Sequence, residues 1–184
     1  VYQFALIPAS LTGSLSLGNI ADIFSSMFMH AGPAHLLGNM LYLWIFGDNV
    51  EDSMGAVKYL AFYLVGGVVA SLAHVLTNPG SQIPTVGASG AIAAVLGAYL
   101  VLFPHSRVAT IIPLGYFLRV TMLPAIVVLG LWFVLQLFSG VLSLGGPDVG
   151  GVAFWAHVGG FVAGVAMALL LGKRRRVDEV AERW

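Results

Sequence analysis

The sequence predicts an all-α protein, a polytopic bundle of transmembrane helices, on three observations. Charged residues make up only 9% of the 184 and hydrophobic residues 59%, whereas a soluble domain carries about 25% charged residues. Apolar segments of helical length recur along the chain. Its eight Lys and Arg all fall on one side of the arrangement that those segments generate. With a mean hydropathy of +0.93, the chain cannot cover a water-facing surface, and the lipid bilayer has to act as its solvent.

A helix needs about 20 apolar residues to cross the hydrocarbon core. Five helical segments are read from the sequence: about His35–Phe46, Ala56–Leu76, Ser89–Phe103, Val120–Leu142 and Val152–Leu171. Before them, Val1–Met29 contains Pro8, Gly13, Gly18 and several Ser and has no uninterrupted run of spanning length. Residues 1–34 therefore read as an external or interfacial loop region, with Val1–Ile7 readable as the tail of an earlier helix. Residues 35–172 form the expected transmembrane core, and 173–184 a basic cytoplasmic tail. No repeat with a solenoid period is present.

The orientation follows from charge. Lys173, Arg174, Arg175 and Arg176 close the last segment, and the positive-inside rule makes that end cytoplasmic. Counting back, Arg107 and Arg119 fall in one cytoplasmic loop and Lys58 in another, the turn Gly47–Lys58. The opposite loops carry no Lys or Arg. Other classes are excluded by composition. Zero formal net charge leaves no nucleic-acid footprint. The absence of cysteine removes disulfides, thiolate chemistry and cysteine-ligated zinc. No metal or cofactor is expected: His30 and His35 are five apart, a poor same-face spacing, and carboxylates near them are lacking.

Four polar features fall at similar depth. His35 and Asn39 are spaced i, i+4 and share a helix face. Ser89 sits in Gly87-Ala88-Ser89-Gly90 at the outer start of the third segment, and His157 lies just inside the outer start of the last. Polar and ionisable groups inside a membrane are costly, face the bundle interior and mark function. Ser89–Phe103 covers roughly 22 Å at about 1.5 Å per residue, short of a core about 30 Å thick. Ser89 is thus expected below the outer surface, in a recessed aqueous pocket entered by the non-helical Pro84–Gly87. His157, Gly160 and Gly164 share a face, and Gly90, Ala94 and Gly97 or Ala98 make a small face on the third segment. Two such faces let backbones approach closely. A hydroxyl is a weak nucleophile until a base takes its proton, and His157 is the natural base for Ser89. The N–H of Ser89 at a helix N-terminus, with Asn39 and His35, can supply donors to an oxyanion.

His35-Leu36-Leu37-Gly38-Asn39, then Gly87-Ala88-Ser89-Gly90, then Ala156-His157-Val158-Gly159-Gly160 with Gly164, closely resembles the rhomboid intramembrane serine proteases. His30-Ala31-Gly32-Pro33-Ala34 looks like the family's loop entering the first of these helices, and Phe46–Glu51 like the turn leaving it. The resemblance covers about Phe24–Leu171. It implies a Ser–His dyad of Ser89 and His157 without aspartate, oxyanion roles for Asn39 and His35, and support from Gly87, Gly90, Gly160, Gly164 and His30. It implies cleavage of transmembrane protein substrates near their outer end, and a further helix upstream of Val1. A bacterial inner membrane suits the compact form. A tryptophan–arginine pair common in the family's first external loop is missing, with Ala21 and Asp22 near that position.

Taken singly, these motifs have blander readings. Gly-Ala-Ser-Gly alone is more often a packing turn, and a lone His157 a structural histidine. A nucleophile elbow of the α/β-hydrolase type requires a preceding strand and a soluble sheet. A catalytically inactive relative that binds membrane clients is the alternative to the enzyme; damage at Ser89 or His157 would mark it, and both are intact. A transporter finds no mid-span charge and no inverted repeat. The fourth segment and the loop Gly145–Gly151 are candidate moving parts.

Overall fold

A computed structural model describes residues 2–144 and 151–171. The basic run at 173–184 and most of the loop 145–151 lie outside the described residues. Two short helices, α1 (Pro8–Gly13) and α2 (Leu17–Ser25), precede a bundle of α3 (Pro33–Met54), α4 (Ala56–Thr77), α5 (Ser89–Leu102), α6 (Ala125–Ser143) and α7 (Phe154–Leu171). Three of these, α4, α6 and α7, are long and apolar enough to cross a membrane, and α5 is a shorter apolar helix. They mark a membrane protein.

Helix α5 is apolar on every side, the signature of a helix buried all round. It packs against α3, α4, α6 and α7, and Ala93, Ala94, Val95 and Ala98 have no exposed surface. Its tightest neighbour is α7. A Cβ at Gly164 would land on the carbonyl oxygen of Ala94, one at Gly160 on that of Gly90, and one at Gly97 on that of Phe161. The backbones thus touch where the small faces were expected, and dispersion at van der Waals contact holds them together without help from the hydrophobic effect.

The segment before α3 is more structured than a loop. Ser16 caps α2 by accepting from Asn19 N at 3.1 Å. The Asn19 side chain donates to the carbonyls of Ser10 (3.0 Å) and Ser14 (2.8 Å). Leu6 and Thr85 exchange both backbone hydrogen bonds, at 3.0 and 2.8 Å. Thr12 Oγ1 donates to Pro79 O at 2.8 Å, and Gly87 N to Ser26 O at 2.9 Å. Residues 2–28 therefore brace the chain that leads into Ser89. The stretch Val1–Ile7 does not continue a spanning helix among the described residues: Tyr2–Phe4 is a single 3-10 turn.

Two further expectations are corrected. The turn Gly47–Lys58 is helical up to Met54 and narrows to Gly55, whose φ of +85° only glycine adopts readily. The fourth helix starts at Ala125 rather than Val120, because residues 107–124 form an antiparallel hairpin, β1 (Arg107–Leu114) with β2 (Phe117–Pro124). The fold is thus mostly helical rather than all-α. Val, Ile and Thr favour strands in this stretch, Pro113 and Pro124 resist a helix interior, and Gly115 turns the chain with a φ of +63°. One hairpin face carries Ala109, Ile111, Leu118, Val120 and Met122, all exposed.

Gly164→Leu should cost at least about 1–3 kcal/mol through overpacking, read as a lower melting temperature in detergent. Gly130→Ala, where a Cβ meets nothing within 4 Å, should stay within about 1 kcal/mol of wild type.

Candidate active site

Ser89 is the first residue of α5, and the backbone before it is non-helical. Gly87 has a φ of +131°, and a Cβ there would stand 2.8 Å from His35 Cε1 and 2.9 Å from His35 Nε2. The same point is 3.7 Å from Ser89 Oγ. A glycine is therefore required at 87 on two counts, conformation and space, and its bareness leaves the room that the His35 ring occupies.

His157 projects from the first turn of α7. Its Nε2 lies 2.8 Å from Ser89 Oγ, across the contact that Gly90, Gly160 and Gly164 make possible. Its other nitrogen, Nδ1, lies 2.8 Å from Gln136 Oε1 on α6. An amide oxygen only accepts, so Nδ1 carries the proton and Nε2 presents a lone pair to the Ser89 hydroxyl. Trp132, one helical turn before Gln136, covers the imidazole with ring centroids 5.9 Å apart.

On α3, Asn39 is buried at 6% exposure and donates through Nδ2 to His35 O at 2.8 Å. His35 Nδ1 accepts from Ala31 N at 3.3 Å, which leaves the proton on His35 Nε2, the nitrogen beside Gly87. His30 meets His35 edge-on at 5.3 Å. Its Nε2 is buried with no hydrogen-bond partner among the described residues. Burial, aided by His35, lowers the His30 pKa below the usual imidazole value.

Ser89, His157, His35 and Asn39 all face one cavity of about 1410 Å³, walled also by the chain from Thr77 to Gly87 and by residues 151–155. Thr85 Oγ1 lies 3.2 Å from His74 Nε2 and ties that wall to α4. A hydroxyl with a neutral imidazole at its proton, beside side-chain N–H donors and the free N–H groups of a helix N-terminus, can perform acyl transfer. Among the described residues no cluster of His, Asp and Glu suits a metal ion.

The Rhomboid domain family model matches residues 17–174 of the chain. The chain belongs to the rhomboid family. It is 31% identical over 150 residues to "Rhomboid protease GluP" of Bacillus subtilis, covering 82% of this chain and 26% of that protein. It is 31% identical over 174 residues to "Rhomboid protein 1, mitochondrial" of Saccharomyces cerevisiae, covering 89% and 46%. To "Presenilin-associated rhomboid-like protein A, mitochondrial" of Danio rerio it is 32% identical over 156 residues, covering 82% and 39%. This rhomboid chain thus spans less than half the length of each of these relatives.

Sequence reasoning on this rhomboid missed Gln136. The signal was there: Gln136 is the one amide side chain in the largely apolar α6, and an intramembrane polar group asks for a partner. His74 also lines the cavity.

Gly87→Ala should destabilise this rhomboid by about 1–3 kcal/mol, the usual cost of an unfavourable φ, and should displace the His35 ring, seen as a shift of its Hε1 resonance. Gly80→Ala, which has open space, should change stability by less than about 0.5 kcal/mol.

Proposed function

We propose that this rhomboid is an intramembrane serine endopeptidase that cleaves transmembrane proteins by a Ser89–His157 dyad. One observation carries the reading: Ser89 Oγ stands 2.8 Å from His157 Nε2, in a cavity large enough for a peptide segment. Rhomboids are in general serine proteases that act on transmembrane substrates within the bilayer, and one relative bears the name protease.

His157 Nε2 takes the proton as Ser89 Oγ attacks the scissile carbonyl carbon. The carbonyl oxygen becomes an oxyanion, stabilised by the Ser89 N–H and by donors from His35 Nε2 and Asn39 Nδ2. His157 then returns the proton to the leaving amine as the C–N bond breaks. Water, activated by the same imidazole, hydrolyses the acyl-enzyme and restores Ser89. A helix buries its scissile bonds in its own hydrogen bonding, so a substrate must unwind locally. Small residues and helix breakers near the cut are favoured.

In this reading α3 and α5 join α4, α6 and α7 as a five-span core of a bacterial inner-membrane protein. The side carrying Lys58, Arg107 and Arg119 faces the cytoplasm. The start of α5, and with it the cavity, opens to the outer side.

Ser89→Ala and His157→Ala should each lower cleavage of a single-span substrate in liposomes at least about 10³-fold and abolish labelling by a fluorophosphonate. Unchanged cleavage by Ser89→Ala would exclude the dyad. A folded wild-type protein that no serine probe labels would favour an inactive client-binding protein. Asn39→Ala should cost about 10²–10³ in kcat if its amide serves the oxyanion.

A further inference from the structure

We propose that Gln136 is a positioning residue for His157, holding the imidazole in the one tautomer and ring setting that can accept the Ser89 proton. The inference rests on the protease reading above and adds a third side chain to it.

An imidazole has two nitrogens, and only one may carry the proton when neutral. As a base toward Ser89, His157 must keep Nε2 free. Among the described residues no acidic group meets its Nδ1; the partner is the amide oxygen of Gln136, at 2.8 Å. This oxygen can only accept, so the proton is held at Nδ1 and the lone pair at Nε2. As Nε2 takes up the Ser89 proton, the Nδ1–H bond strengthens against the new positive charge, since hydrogen bonds to ionised groups are stronger than neutral ones. An amide does this without the cost of burying a carboxylate among apolar helices.

Ring orientation comes from the same helix. Trp132 lies one turn before Gln136 and covers the imidazole at 5.9 Å with the planes tilted by 33°. Trp132 also packs on Phe161, one turn beyond His157 on α7. Helix α6 therefore holds both the edge and the face of the base. It is also less buried inside the protein than α4 or α7, with Ala125, Leu129 and Gly140 as its buried residues. Any displacement of α6 from α7 would release Gln136 and Trp132 from the imidazole together, so a competent base depends on a docked α6.

The test uses the full chain in detergent with a single-span substrate. Gln136→Leu should lower kcat about 10–100-fold, with KM within about twofold and melting temperature unchanged. Gln136→Glu keeps an acceptor at that place and should recover most of kcat. In histidine-labelled wild-type protein, the ¹⁵N spectrum should put the His157 proton on Nδ1, and Gln136→Leu should lose that preference. Wild-type kcat in folded Gln136→Leu, or a His157 proton on Nε2 in the wild type, would overturn the proposal. If Gln136→Leu does not fold, the wild-type spectrum and Gln136→Glu decide it. Unchanged cleavage by Ser89→Ala is a different result: it removes the protease reading itself.

Discussion

The contact on which the rest depends is backbone against backbone, where α5 meets α7. Gly160 lies against the carbonyl of Gly90, Gly164 against that of Ala94, and Gly97 against that of Phe161. In lipid, apolar side chains gain nothing by leaving one hydrocarbon for another, so helices associate through close packing. Glycine permits the closest approach. A hydroxyl and an imidazole on neighbouring helices reach 2.8 Å only when the helix axes are this near. The same small residues that hold the bundle together therefore set the distance across which a proton can move.

Around that contact the site is assembled from pieces with little in common in sequence. The α5 start delivers Ser89, α7 delivers His157, α3 delivers His35 and Asn39, and α6 delivers Gln136 and Trp132. The N-terminal segment braces them indirectly: Leu6 pairs with Thr85, and Ser26 accepts from Gly87. The non-helical chain from 79 to 87 thus has its backbone partly satisfied by protein, which is what allows irregular backbone beside an apolar environment. Gly87 is where this chain is most constrained, since its positive φ and the His35 ring each exclude a side chain.

The hairpin at 107–124 shows a different compromise. Its β-branched stretches and two prolines outweigh the apolar run that otherwise reads as the start of α6. The helix begins only after Pro124, where the Ala125 N–H donates to Ser106 O and the Ile126 N–H to Pro104 O. Those two bonds pin the base of the hairpin to the end of α5. The exposed apolar face of the strands is consistent with a protein surrounded by lipid rather than by water.

The amino-acid sequence by itself determined that the chain is a membrane protein, which segments are apolar helices, and which motifs stand in order along it. Composition and apolar run length are local quantities, and His35, Asn39, Ser89 and His157 could be singled out because each is a polar residue in an apolar setting. Helix ends were less legible. Gly47 looked like a turn and lies inside α3, because a lone glycine is tolerated in a helix and only Gly55 takes the positive φ that ends one. Tertiary structure alone decided which nitrogen of His157 faces Ser89, that Gln136 meets the other, and that Gly87 is bare because His35 needs the space. These are relations between side chains 68 and 21 residues apart in the first two cases. Only the packing of helices, which no local pattern encodes, brings such distant positions within a hydrogen bond.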